Sequence, residues 1–132
     1  MLIITTILHA YSILPLLKYY KHYTSEYVNL ILISTFFSVL YHLNESNIVI
    51  AIIDYSMAIA WATYDVYFAI EYMYTIDLFE IMLLNSLIFL LNFSIPYDTS
   101  KYVMWHCLWH IISAVKTFYV SKKIEHSLEK IF

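Results

Sequence analysis

The stretch IVIAIIDYSMAIAWATYDVYFAI, residues 48–70, decides the class of this chain. Its only formal charges are Asp54 and Asp65, and its apolar residues form a block rather than a one-sided stripe. A helix needs about 20 predominantly apolar residues to cross a bilayer, and this block has that length. Four other blocks match it: about 1–17, 27–43 (YVNLILISTFFSVLYHL), 76–95 and 101–120. The expected fold is therefore all-α, a polytopic transmembrane helical bundle of about five spans. A single membrane domain covers 1–120, and 121–132 forms a tail. The links NESN (44–47) and PYDTS (96–100) are short, polar and rich in turn formers. The opening block lacks a basic leader and a small-residue cleavage site, so it reads as a retained span ending near Pro15.

Composition agrees. The chain has 132 residues, of which 62% are hydrophobic and only 13% charged, too few charges to coat a water-soluble surface. A net charge of −3 without a basic tract excludes nucleic acid as a partner. The single cysteine, Cys107, excludes an internal disulfide and a Cys-rich metal site. With five spans the termini fall on opposite sides. Lys18, Lys21, Lys122, Lys123 and Lys130 gather on the C-terminal side, against Lys101 alone on the other. The positive-inside tendency makes the C-terminal side cytoplasmic and directs the N-terminus to the lumen or exterior. In the tail SKKIEHSLEKIF, Ile124, Leu128 and Ile131 repeat at helical spacing, as expected of an amphipathic segment on the cytoplasmic interface.

Ionisable groups inside a membrane are costly and tend to mark function. In WHCLWHIISA (105–114), His106 and His110 stand four residues apart and leave one face of the fifth helix. SVLYH (38–42) sets Ser38 and His42 at the same spacing on the second span, and IIDYS (52–56) places Asp54 early in the third. The second span ends where the third and fifth begin. At about 1.5 Å rise per residue, these five side chains share one layer near the lumenal side. Three imidazoles with one open position describe a catalytic zinc site. Zinc in such a site supplies hydroxide at neutral pH, with Asp54 as acid–base residue and Ser38 orienting it or stabilising an oxyanion. The zincin pattern is absent, because Cys107 stands where its glutamate would be, so the base must come from another helix.

In this order and topology, SVLYH, IIDYS and HCLWH resemble the signature of the CREST superfamily of membrane metal-dependent hydrolases. That group takes in alkaline ceramidases, progestin and adiponectin receptors, GPI-remodelling proteins and myomaker-like proteins. The resemblance covers 38–56 and 102–114. It implies zinc on His42, His106 and His110, with Ser38 and Asp54 around the bound water. It further implies hydrolysis of an amide or ester bond in a membrane lipid, as in ceramide. The relatives have seven spans, with three between the Asp helix and the His-pair helix where this chain has one. Removing two preserves the direction of the last helix but thins the cavity wall, and a homo-oligomer would close the gap.

The other polar residues read more simply. Asp65 suits an interfacial position near Tyr64 and Tyr67, or one end of a proton path from Asp54. Glu71, Asp77 and Glu80 suit a solvated or Lys-paired cluster, and Asn85 and Asn92 suit hydrogen bonds between helices. His9, His22 and His126 fall outside the layer, and Cys107 points away from its histidines. Three other functions compete with the hydrolase: a myomaker-like fusion or remodelling protein with a structural zinc, a bis-His haem protein, and a membrane scaffold with incidental histidines.

Overall fold

The computed structural model describes residues 1–20, 24–94 and 101–131. Lys21 and His22, and the PYDTS link, lie outside them. Among the described residues there are five α-helices: α1 Leu2–Ser12, α2 Ser25–Leu43, α3 Ile48–Tyr72, α4 Thr75–Ser94 and α5 Tyr102–Glu129. The first span is not one α-helix as expected. It changes after Ser12 into a 3-10 segment, Leu14–Tyr19, that has Pro15 in its first turn. Proline has no N–H to offer the carbonyl four residues back, and its ring crowds that carbonyl, so the α-ladder stops short of it. The NESN link ends in a cap, with the Asn47 side chain accepting from Val49 N (3.0 Å) and Ile50 N (3.3 Å) to start α3.

Contacts set the helix directions. Thr6 meets His110, and Lys18 meets Glu129 at 3.8 Å, so the first span runs parallel to α5. Tyr64 donates to Glu26 (3.3 Å), Asn92 to Tyr55 (3.3 Å) and Lys116 to Asn85 (2.8 Å). With the Lys123–Asp77 pair at 2.8 Å, these contacts make α2/α3, α3/α4 and α4/α5 antiparallel. The termini therefore lie at opposite ends of the bundle. Asp77, next to the α3–α4 link, thus has Lys123 as its lysine partner and also accepts from Tyr119 (2.6 Å).

Four segments have the length and apolarity to span a bilayer: Leu2–Tyr19, Ser25–Leu43, Ile48–Tyr72 and Thr75–Phe93. Helix α5 has the length but lacks the apolarity, and its burial pattern shows why. His106, His110, Ser113, Lys116, Thr117 and Ser121 are all buried, whereas Met104, Leu108, Ile111, Val115 and Phe118 are exposed on the opposite stripe. The bundle is inverted relative to a soluble protein. Among the described residues, the buried set holds eighteen polar or charged side chains and eighteen apolar ones, while Phe36, Ile52, Leu83 and Leu90 face outward. That outer surface suits hydrocarbon.

Beyond residue 120, α5 continues unbroken instead of yielding to a separate tail. The helical stripe read at Ile124 and Leu128 exists, but both are fully buried against Leu16, Tyr27 and Val28 in the apolar core. Only Ile131 of that stripe is exposed. The end of the bundle near the C-terminus is thus packed with apolar side chains, and the end near the N-terminus is packed with polar ones.

Between the two lies a buried ion pair. Lys116 Nζ bonds Asp65, which also accepts from the Tyr27 hydroxyl; Asn85 completes the set, and the ammonium lies 5.2 Å from the Trp61 ring centroid. Asp65 is fully buried, so the interfacial reading of it does not hold. Removing one partner of such a pair strands a charge at a cost of about 3–5 kcal/mol. Lys116→Met alone is therefore expected to unfold at markedly lower temperature in detergent micelles, and Asp65→Leu/Lys116→Met to recover most of the loss. Equal stability of the single and double variants would contradict the pairing.

Candidate metal centre

The three histidines meet. One ligand atom from each of His42, His106 and His110 lies within 4.8 Å of the other two. Helix α2 delivers His42 from its last turn, and α5 delivers the other pair from its first turns. Ring centroids are 4.8–5.1 Å apart, with interplanar angles of 81–84°, so the rings turn edges rather than faces toward one another. All three are shielded: His106 is 6% and His110 0% exposed, and the His42 side chain is 1% exposed.

Hydrogen bonds fix most of the tautomers. His42 Nδ1 lies 3.3 Å from Glu45 Oε1, a carboxylate that accepts only, so Nδ1 carries the proton and Nε2 keeps a lone pair. That Nε2 is 2.9 Å from His110 Nε2, which also sits 3.2 Å from the Thr6 hydroxyl. The Thr6 hydroxyl already donates to the Leu2 carbonyl at 2.9 Å. Both neighbours therefore offer lone pairs to His110 Nε2, whose proton is the group a cation would replace. His106 Nε2 is buried with no partner, and so is His110 Nδ1.

The donor set fits a metal ion. Two imidazole nitrogens on one tetrahedral zinc stand ~3.3 Å apart, given metal–nitrogen distances of about 2.0–2.1 Å. The observed 2.9 Å pair needs only a small spreading. A ligating histidine whose other nitrogen donates to a carboxylate is the usual second layer of such a site. Glu45 supplies it, and the sequence reading passed over this residue although it stands three positions after His42.

Asp54 and Ser38 are placed together but apart from the trio. Ser38 lies against the Asp54 carboxyl, without a hydrogen bond of ordinary geometry at its Oγ. Both line a cavity of ≈ 20 Å³ that also touches His9, Trp61, Trp109 and Lys116. Among the described residues, no hydrogen bond joins Asp54 or Ser38 to any of the three imidazoles. The connection runs instead through His9, 5.2 Å from the His110 ring, and Trp109, whose ring lies 4.8–5.0 Å from His110 and His106.

His9 was read as lying outside the layer, and the structure corrects this. It is 2% exposed and its Nε2 donates to the His110 carbonyl at 3.1 Å. The signal was the polar stripe Thr5, Thr6, His9 and Ser12, four buried residues on one face of α1. Cys107 is buried and belongs to no metal-ligand group. His126 lies at the far end, beside Lys123 and Lys130. No protein-family model, curated protein or solved structure matches the chain.

Proposed function

We propose that this chain is a zinc-dependent integral-membrane hydrolase that cleaves an amide or ester bond in a lipid, with the metal on His42, His106 and His110. One observation carries the proposal: three buried imidazoles from two helices converge with their ligand atoms within 4.8 Å, one of them already oriented by Glu45. Zinc in that place supplies Lewis acidity, polarising a carbonyl and lowering the pKa of water.

The residues of the chain have separate tasks in this reading. Glu45 holds the His42 proton on Nδ1 and keeps Nε2 free. Thr6 and the His9 bond to the His110 carbonyl steady the α5 turn that bears His110. Asp54 is the acid–base group, with Ser38 beside it, in a cavity whose His9 and Trp109 walls also touch the histidine trio. The substrate class follows from the surface: an exterior of Leu, Ile and Phe brings the protein against acyl chains, and a lipid reaches a buried centre without first entering water. The lysine-rich end, with Lys18, Lys122, Lys123 and Lys130, is assigned to the cytoplasm, and the metal centre to the lumenal or exterior end.

A second reading keeps the metal but assigns it to structure, in a non-enzymatic remodelling or fusion protein. The separation of Asp54 from the trio by His9 and Trp109 favours it. A haem reading fits poorly, because rings 4.8–5.1 Å apart leave no slot for a macrocycle between them.

Metal analysis of detergent-purified protein should give about one zinc per chain, lost in both His106→Ala and His110→Ala. Full retention in both variants removes the site. Glu45→Gln is expected to weaken metal affinity about 10–100-fold while leaving the fold intact. Asp54→Asn should retain the metal and lower turnover of a lipid amide by about 10²–10⁴-fold, the usual share of a general acid–base group. A metal-loaded wild type that hydrolyses neither lipid amides nor lipid esters would leave only the structural reading.

A further inference from the structure

The cavity beside the metal centre has a chemistry of its own. Its walls include His9, Ser38, Asp54, Ala58, Trp109 and Lys116. Of these, His9, Ser38, Asp54, Trp109 and Lys116 are 2%, 3%, 7%, 8% and 4% exposed, so each is largely shielded from bulk water. Two of them hold a buried polar atom with no partner, His9 Nδ1 and Trp109 Nε1, and Ser38 Oγ has only the Asp54 carboxyl beside it. Unpaired buried polar atoms are costly, so a cavity whose walls carry them favours an occupant that can bond to them.

Their hydrogen-bonding roles are fixed. His9 Nε2 faces a carbonyl, which only accepts, so the neutral ring has its proton there and Nδ1 is an acceptor. Trp109 Nε1 can only donate, and Ser38 Oγ can do either. Asp54 adds a carboxyl. Lys116 adds an ammonium with two of its three N–H bonds on Asp65 and Asn85. An occupant must therefore accept from some walls and donate to others. A metal cation donates nothing, an inorganic anion accepts without donating, and an apolar group does neither. Water does both, and ≈ 20 Å³ is enough for about one water centre.

We infer that this cavity is a binding site for water, held by the polar side chains on its walls. In a hydrolase it would also hold the co-reactant of hydrolysis inside an otherwise dry interior. The site rests on the unpaired atoms and the cavity alone, so it stands whether or not the metal centre is catalytic.

The test is a water-to-protein magnetisation-transfer NMR experiment on ¹⁵N-Trp-labelled protein in micelles, with Trp109→Phe to assign the indole signal. A water cross-peak at the Trp109 Nε1–H is expected, together with its loss in a folded Ala58→Val variant that fills the space. Absence of the cross-peak in the parent, with the indole proton persisting for hours in heavy water, overturns the inference. Thermal unfolding gives a second reading that does not depend on the indole. Expelling a bridging water leaves polar atoms unpaired, so Ala58→Val should melt at lower temperature. An Ala58→Val variant as stable as the parent, or more so, identifies a dry void and overturns it as well.

Discussion

An ammonium group in hydrocarbon must have a counter-ion, and the organisation of this bundle follows from where that requirement is met. Lys116 sits midway along α5 and finds Asp65 of α3, with Asn85 of α4 and the Trp61 ring around it. Satisfying Lys116 draws α5 into the centre, between α1, α3 and α4, with its polar stripe inward and its apolar stripe outward. Once α5 has that rotation, His106 and His110 have no choice of direction. They face the end of α2, where His42 is waiting. The meeting of the three histidines is thus a geometric consequence of a charge pair well over one turn away along the same helix.

The polar and apolar halves of the interior divide the work. Toward the C-terminus, Leu16, Tyr27, Val28, Ile124 and Leu128 pack as they would in any core. Toward the N-terminus, imidazoles, hydroxyls and a carboxyl replace them, and packing gives way to hydrogen-bond geometry. Glu45, Thr6 and the His110 carbonyl each restrict where a ring proton can reside. The result is a set of lone pairs aimed by neighbours rather than a loose gathering of histidines. Asp54 and Ser38 share this half of the bundle but face their own cavity, so any chemistry that uses both places must pass His9 and Trp109.

The helical class and the meeting of His42, His106 and His110 were legible in the sequence for a simple reason. Residue spacing fixes the face, topology fixes the level, and both are properties of the chain order alone. What escaped was anything set by helix rotation against a particular neighbour. Asp65 read as interfacial because its depth was counted without its partner, and Lys116 was never weighed although it stands alone in an apolar run. His9 was set aside with the first span, where Pro15 blurred the pattern, though Thr5, Thr6 and Ser12 share its face. Ile124 and Leu128 had the right period and the wrong destination, since periodicity reveals an apolar stripe but not what covers it.

Thr6 and His9 reach His110 across more than a hundred residues of chain. During synthesis α1 emerges well before α5; the Thr5, Thr6 and Ser12 hydroxyls find carbonyls within α1, but the His9 imidazole lacks its His110 partner until α5 follows. An imidazole without its partner is costly in lipid, so α1 is less well satisfied alone than in the finished bundle. Closure of the bundle is for that reason a late event with high contact order, reached only when the last helix is released. A cell that monitors exposed polar groups in nascent membrane helices would read this protein as unfinished until that moment.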